Sequence, residues 1–189
     1  MTTSLSTNGI DVEQLVQTIE AIKTDPGLAS FTFRARTSWR EGTHSVGEIG
    51  ACLHAGEEDR SRAAPFVLNG DEPPVLLGRN NGPNAVELLL AALGFCYAVG
   101  FVANAAARGI ELEALAYEIE GDLDLRSFLG IDAGTRPGYH GIRAKVSVKA
   151  AHASERELQE LFMYVQDTSP VRDALANPVP VATTLEVIE

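Results

Sequence analysis

NGPNAVELLLAALGFCYAVGFVANAAARG, residues 81–109, is the stretch around which the rest of the chain is organised. Asn84 is suited to cap a helix whose first residue is Ala85. Glu87, three positions on, reaches back to the capping residue, so the start reads as a capping box. From Leu88 to Ala103 no side chain is charged, and apolar or small residues occupy every face. A helix of that kind belongs inside a protein. Arg108 suits the carbonyl end and Gly109 the left-handed residue that follows it. The run is short for a membrane span, rich in Ala and Gly, and followed by Asn104, so the expectation is a buried helix with no membrane partner. Gly94 and Gly100, with Ala91, Ala92, Ala98 and Ala103, would let neighbouring groups approach closely around Cys96.

Composition narrows the classes. In 189 residues, 45% are hydrophobic and 22% charged, a balance that supports a folded core rather than disorder. A net charge of −11 disfavours nucleic acid and anionic membrane surfaces as partners. Cys52 and Cys96 are too few and too far apart in sequence for a disulfide framework or a zinc cluster. The first residues, MTTSLSTNGI, lack a basic region followed by an apolar core, so a cytoplasmic location is expected. One domain is expected over residues 1–189, with residues 1–28 as an N-terminal helical extension.

Working outward, Val12, Leu15, Val16, Ile19 and Ile22 stand at helical spacing, and Asp25-Pro26-Gly27 ends the pattern. Phe31–Trp39 alternates as a strand with one buried face, and Glu41-Gly42-Thr43 turns it into a second strand over His44–His54. Pro65–Leu68 is a short strand before the Asp71-Glu72-Pro73-Pro74 loop. Beyond the central helix, Leu115–Leu125 carries acidic residues on its outer face, and a later strand around Ile142–Val148 carries Arg143, Lys145 and Lys149. Antiparallel pairing would set opposite charges across from each other. Ser154 and Glu157 form a second capping box, Ser169 and Pro170 start another helix, and Val181–Ile188 reads as a final strand.

A lone cysteine in an apolar helix is more often packing than chemistry, because a reactive thiol needs a cationic setting. His44, His54, His140 and His152 form no metal-ligand spacing, and no metal or cofactor is implied.

The order of the N-terminal hairpin, NNGPNAVELLLAALGFCYAVG, GIELEALAYEIEGDLDL, YHGIRAKVSVKA and TSPVRDALANPVPV resembles the OsmC/Ohr family from about Phe31 to the C-terminus. The resemblance implies an α+β fold, with curved antiparallel sheets packed around central helices in an intertwined homodimer. It also implies reduction of small organic hydroperoxides by a thiolate that becomes a sulfenic acid. Cys96 matches the attacking cysteine. Arg40 matches the arginine that activates it, with Arg36 as the alternative. Two positions depart from the family pattern. Ser169 stands where the resolving cysteine precedes Pro170-Val171, so an external thiol would have to resolve Cys96. Val86 stands where the peroxidase branches have a glutamate; Glu87 lies one residue later, about 100° around the helix. The other reading is a non-catalytic, small-molecule-binding or stress-associated dimer that retains the fold only.

Overall fold

The computed structural model describes residues 6–188, and the chain forms two compact units that divide between Ala91 and Ala92. The first five residues of the expected N-terminal extension, and Glu189, lie outside the described residues.

The first unit opens with a two-strand ribbon, β1 (Ser6–Thr7) and β2 (Ile10–Asp11), leading into helix α1 (Val12–Thr24). Asp11 caps α1 by accepting the Gln14 N–H at 2.9 Å. The apolar stripe of this helix remains largely exposed, with Val16 and Ile19 open to solvent. Strands β3 (Phe31–Thr32), β4 (Arg36–Glu41), β5 (His44–Ile49), β6 (Leu53–His54), β7 (Glu57–Glu58) and β8 (Phe66–Gly70) follow. They form two three-stranded antiparallel sheets, in the orders β3-β6-β7 and β4-β5-β8.

The two long strands expected over Phe31–Trp39 and His44–His54 are therefore each broken. Thr32 faces Leu53 in one ladder and Arg36 faces Glu48 in the other. Residues 33–35 on one side oppose residues 49–52 on the other, and this mismatch interrupts the hydrogen-bonded ladder. Nor is the expected buried face covered: Phe33 and Trp39 are both strongly exposed.

Asp71 ties the end of this unit together. Its carboxylate is almost fully buried. Oδ1 accepts the Thr43 hydroxyl at 2.6 Å and the Glu72 N–H at 2.8 Å. Oδ2 accepts the Arg79 and Asn81 N–H groups, both at 3.1 Å, and the Asn81 side-chain amide at 2.9 Å. The Thr43 hydroxyl and then the Asn81 N–H do most to hold the acid far below the usual carboxylate range. One side chain thereby fixes both the β4–β5 turn and the loop that leads to the central helix.

Helix α2 (Ala85–Ala107) starts as the sequence predicts. Asn84 Oδ1 accepts the Glu87 N–H and Glu87 Oε2 accepts the Asn84 N–H, each at 2.9 Å. It ends in a Schellman motif: Gly109 has φ +68°, its N–H reaches Ala106 O, and Ile110 N–H reaches Ala105 O. By length and apolar character alone α2 would suit a membrane span.

In the second unit, Leu93, Tyr97, Phe101 and Ala105 form a buried stripe at four-residue spacing on α2. The stripe joins one core cluster with Leu161 and Val165 of α3 (Glu155–Thr168) and with the inner faces of β9 (Leu112–Asp122) and β10 (Gly141–Ala150). Gly100 permits the approach of α3, since a Cβ there would lie 3.2 Å from Val165 Cγ1. The β9–β10 pairing is antiparallel as expected, with Lys145 opposite Glu118 and Arg143 opposite Glu120. Both pairs close as ion pairs, at 3.4 and 2.9 Å. A short helix, α4 (Pro170–Ala176), follows Ser169. The strand expected over Val181–Ile188 finds no strand pairing among the described residues, and Val181, Leu185, Val187 and Ile188 are all more than four-fifths exposed. Its alternation describes a strand's faces, but a strand also needs an edge to pair with.

Because the native Asp71 carboxylate is the stronger acid, its stabilising effect is complete above about pH 4, the range of a free aspartate, and fades as pH falls below it. Asp71→Asn is expected to lower the melting temperature by several degrees at pH 7. Thermal melts across pH should show that gap narrowing steadily below about pH 4. A gap independent of pH would show that charge has no part in it.

Candidate active site

Cys96 lies midway along α2, one residue before Tyr97 of the buried stripe, and is itself half-buried. Its Sγ lies 3.2 Å from Ser169 Oγ. That contact has a local origin. Ser169 is the N-cap of α4 and accepts the Arg172 N–H at 3.2 Å, while Pro170 at the first helical position fixes where the helix begins. Ser169 is itself buried, only 5% exposed.

Around this pair the chemistry is mostly apolar and neutral. The Tyr97 ring packs on Tyr117 with centroids 5.6 Å apart and planes inclined by 27°. Burial pushes both phenols up; Tyr117 reaches about 12, with a smaller contribution from Tyr97. For Tyr97 the guanidinium of Arg172 opposes the rise caused by burial, and Cys96 adds to it slightly. Arg172 is held by the Gln166 carbonyl at 3.3 Å and by Asp167 at 3.9 Å. Phe95 and Val99, also on α2, are 73% and 70% exposed.

Arg40 belongs to the first unit. Trp39 pairs with Ser45 and Glu41 with His44, so Arg40 is the extra residue of a β-bulge next to the hairpin turn. Bulges of this kind re-aim a side chain away from the regular pleat, and Arg40 is exposed. Arg36, the alternative, sits in regular register opposite Glu48. It lines an open cleft of about 520 Å³ with Arg34, Arg62, Glu48 and Glu58. Glu87 is tied to the Asn84 cap through Oε2 and its own N–H. Cys52 is a buried free thiol of the first unit. No group of three or more His, Cys, Asp or Glu side chains among the described residues is arranged to hold a metal ion.

A model of the OsmC-like protein family matches residues 78–184, more than half of the 189-residue chain. The chain belongs to the OsmC-like protein family. The matched segment includes Cys96, Ser169 and Arg172; Arg40 lies before it. Solved structures agree on the fold. An OsmC-like protein from Mycoplasma pneumoniae superposes with a TM-score of 0.58 at 16% identity, over 78% of this chain and 89% of that one. An organic hydroperoxide resistance protein OsmC from Legionella pneumophila gives 0.53 at 17%, over 76% and 88%. An OsmC-like protein of unknown function from Vibrio cholerae gives 0.58 at 12%, over 76% and 92%. At such identities these likenesses establish the α+β OsmC-like fold. A comparison with curated protein sequences found no match.

Sequence reasoning identifies Cys96 and marks Ser169 as a departure, but does not show that the two side chains meet. It misses Arg172; the Ser-Pro-x-Arg spacing, which puts its N–H on the Ser169 cap, is the signal that would find it. The bulge at Arg40 has no signature in the strand alternation.

The 3.2 Å contact predicts that Ser169→Cys places a second sulfur within bonding reach of Cys96. Mild oxidation of this variant with diamide should then yield an intrachain disulfide between positions 96 and 169, seen by non-reducing peptide mapping, whereas the parent protein should yield none there. Failure to form it would show that the α4 cap does not face the thiol in solution.

Proposed function

We propose that this OsmC-like protein reduces small organic hydroperoxides through Cys96. The observation that carries the reading is a half-buried thiol, within the family-matched segment, held against a buried hydroxyl at 3.2 Å. Hydroperoxide resistance proteins share the fold, which supports the reaction class without fixing it.

The Cys96 thiolate attacks the distal peroxide oxygen. An S–O bond forms as the O–O bond breaks; the sulfur becomes a sulfenic acid, and the departing alkoxide takes a proton and leaves as an alcohol. Arg40 is the cation proposed to stabilise the thiolate and the departing oxygen, with its bulge freeing the side chain from the pleat. Since Ser169 cannot form a disulfide, an external thiol attacks the sulfenic sulfur and expels water. A second equivalent of thiol then regenerates Cys96 and leaves as the oxidised disulfide. Reduced small thiols are most plentiful in the cytoplasm, where we place the protein. No bound cofactor is required.

The functional unit we propose is a homodimer. Phe33, Trp39, Phe66, Phe95 and Val99 are each 60% or more exposed in the single chain, more bulky apolar surface than isolated domains ordinarily leave uncovered.

Treating the reduced protein with one equivalent of cumene hydroperoxide and trapping with dimedone should give a stoichiometric adduct at Cys96 by peptide mass spectrometry. Cys96→Ser should remove thiol-dependent turnover. Arg40→Ala should slow adduct formation by about tenfold or more, the order expected when a charge-stabilising donor is removed. An adduct at Cys96 that forms no faster than on a free thiol would instead favour a binding dimer that retains only the fold.

A further inference from the structure

We infer that Ser169 is a positioning residue for Cys96: its hydroxyl donates a hydrogen bond to the sulfur and favours the anionic, nucleophilic form of Cys96. The inference deepens the hydroperoxide reading of the same thiol and rests on it for its biological meaning. Its chemistry is independent of peroxide.

The direction of the hydrogen bond follows from counting. Ser169 Oγ has one proton and two lone pairs. One lone pair is committed to the Arg172 N–H at 3.2 Å, because Ser169 caps α4. The residue is 5% exposed, so its hydroxyl proton must find an acceptor within the protein. Among the described residues, Cys96 Sγ at 3.2 Å is the acceptor within reach of that hydroxyl. A thiol is a weak donor and an anionic sulfur a good acceptor, so the O–H···S arrangement strengthens as the sulfur ionises. A donor that bonds the charged form more strongly than the neutral one stabilises the charged form.

The groups facing the pair are two phenols and one ion pair. Tyr97, adjacent on α2, and Tyr117, packed on it from β9, are both pushed up by burial and remain neutral. Arg172 of α4 and Asp167 of α3 pair with each other at 3.9 Å. A thiol at position 169 would share its own proton with a second titrating sulfur. A serine donates without competing, and it leaves the sulfenic acid without an internal partner. Thus the residue that removes internal resolution also supports the attacking sulfur.

The test is the rate of iodoacetamide alkylation of Cys96 between pH 5 and 10, followed by peptide mass spectrometry. Three proteins are compared: the parent, Ser169→Gly and Ser169→Thr. Glycine caps a helix nearly as well as serine, so Ser169→Gly removes the hydroxyl while sparing the start of α4. Ser169→Thr keeps both hydroxyl and cap. We expect Ser169→Gly to be about threefold or more slower at pH 7, with its pH profile displaced upward, and Ser169→Thr to restore the parent profile. An unchanged or faster rate in Ser169→Gly would overturn the inference, since the sulfur would then be the donor. A Thr variant as slow as the Gly variant would also overturn it. A slower Gly variant with no sulfenic acid from peroxide would keep this inference and remove the hydroperoxide reading; normal sulfenic-acid formation with no hydroxyl effect would do the reverse.

Discussion

Everything in the second unit depends on covering α2, a 23-residue helix with apolar or small side chains on nearly every face. Among the described residues, the side chains of α2 that are buried are the stripe Leu93-Tyr97-Phe101-Ala105 and the neighbouring Ala106. That stripe recruits β9, β10 and α3 into a single cluster. A second row, at positions 91, 95 and 99, stays open. Burying a Phe or Val side chain is worth about 1.5–3 kcal/mol, so the exposed Phe95 and Val99 alone represent several kcal/mol that a partner surface would recover. Such a driving force is the physical basis for the proposed dimer.

The capping boxes at Asn84 and Ser154, the Gly109 terminus and the Ser169-Pro170 start were all legible because each is settled within four or five residues. The pairing of β9 with β10 was legible for a different reason: two long strands with opposite charge on their outer faces match in one register. What escaped depended on distant segments. The hairpin over residues 31–54 alternates smoothly in sequence, and only the count of residues between ladders shows that it must break. Asp71 looked like a loop acid, yet it gathers donors from Thr43 on one side and from Arg79 and Asn81 on the other. For Val181–Ile188 the alternation was real, but no pairing edge meets it among the described residues.

The candidate site shows the same division. Cys96 was visible because it interrupts an otherwise inert run, and Ser169 because the family resemblance implies a cysteine before Pro170-Val171. Their 3.2 Å contact was not visible, because it requires α4 to begin at one particular residue and the first turn of that helix to face α2. A cap and a hydrogen-bond donor are usually separate requirements. In Ser169 one hydroxyl meets both, using a lone pair for the helix and the proton for the sulfur.

The start of α2 constrains the arginine as well. Glu87 is drawn to Asn84 through Oε2 and its own N–H, and Val86 offers no charge. The family resemblance implies a carboxylate at position 86 to orient the proposed arginine, and Val86 supplies none. Without that carboxylate the proposed arginine gives up pre-organisation, and orientation accounts for much of what a charged group contributes to a transition state. If Arg40 serves Cys96, its placement must come from the backbone that carries it. The bulge between Trp39 and Glu41 is the register shift in the pairing of that strand with β5, and it falls on Arg40, the residue proposed to serve the thiol.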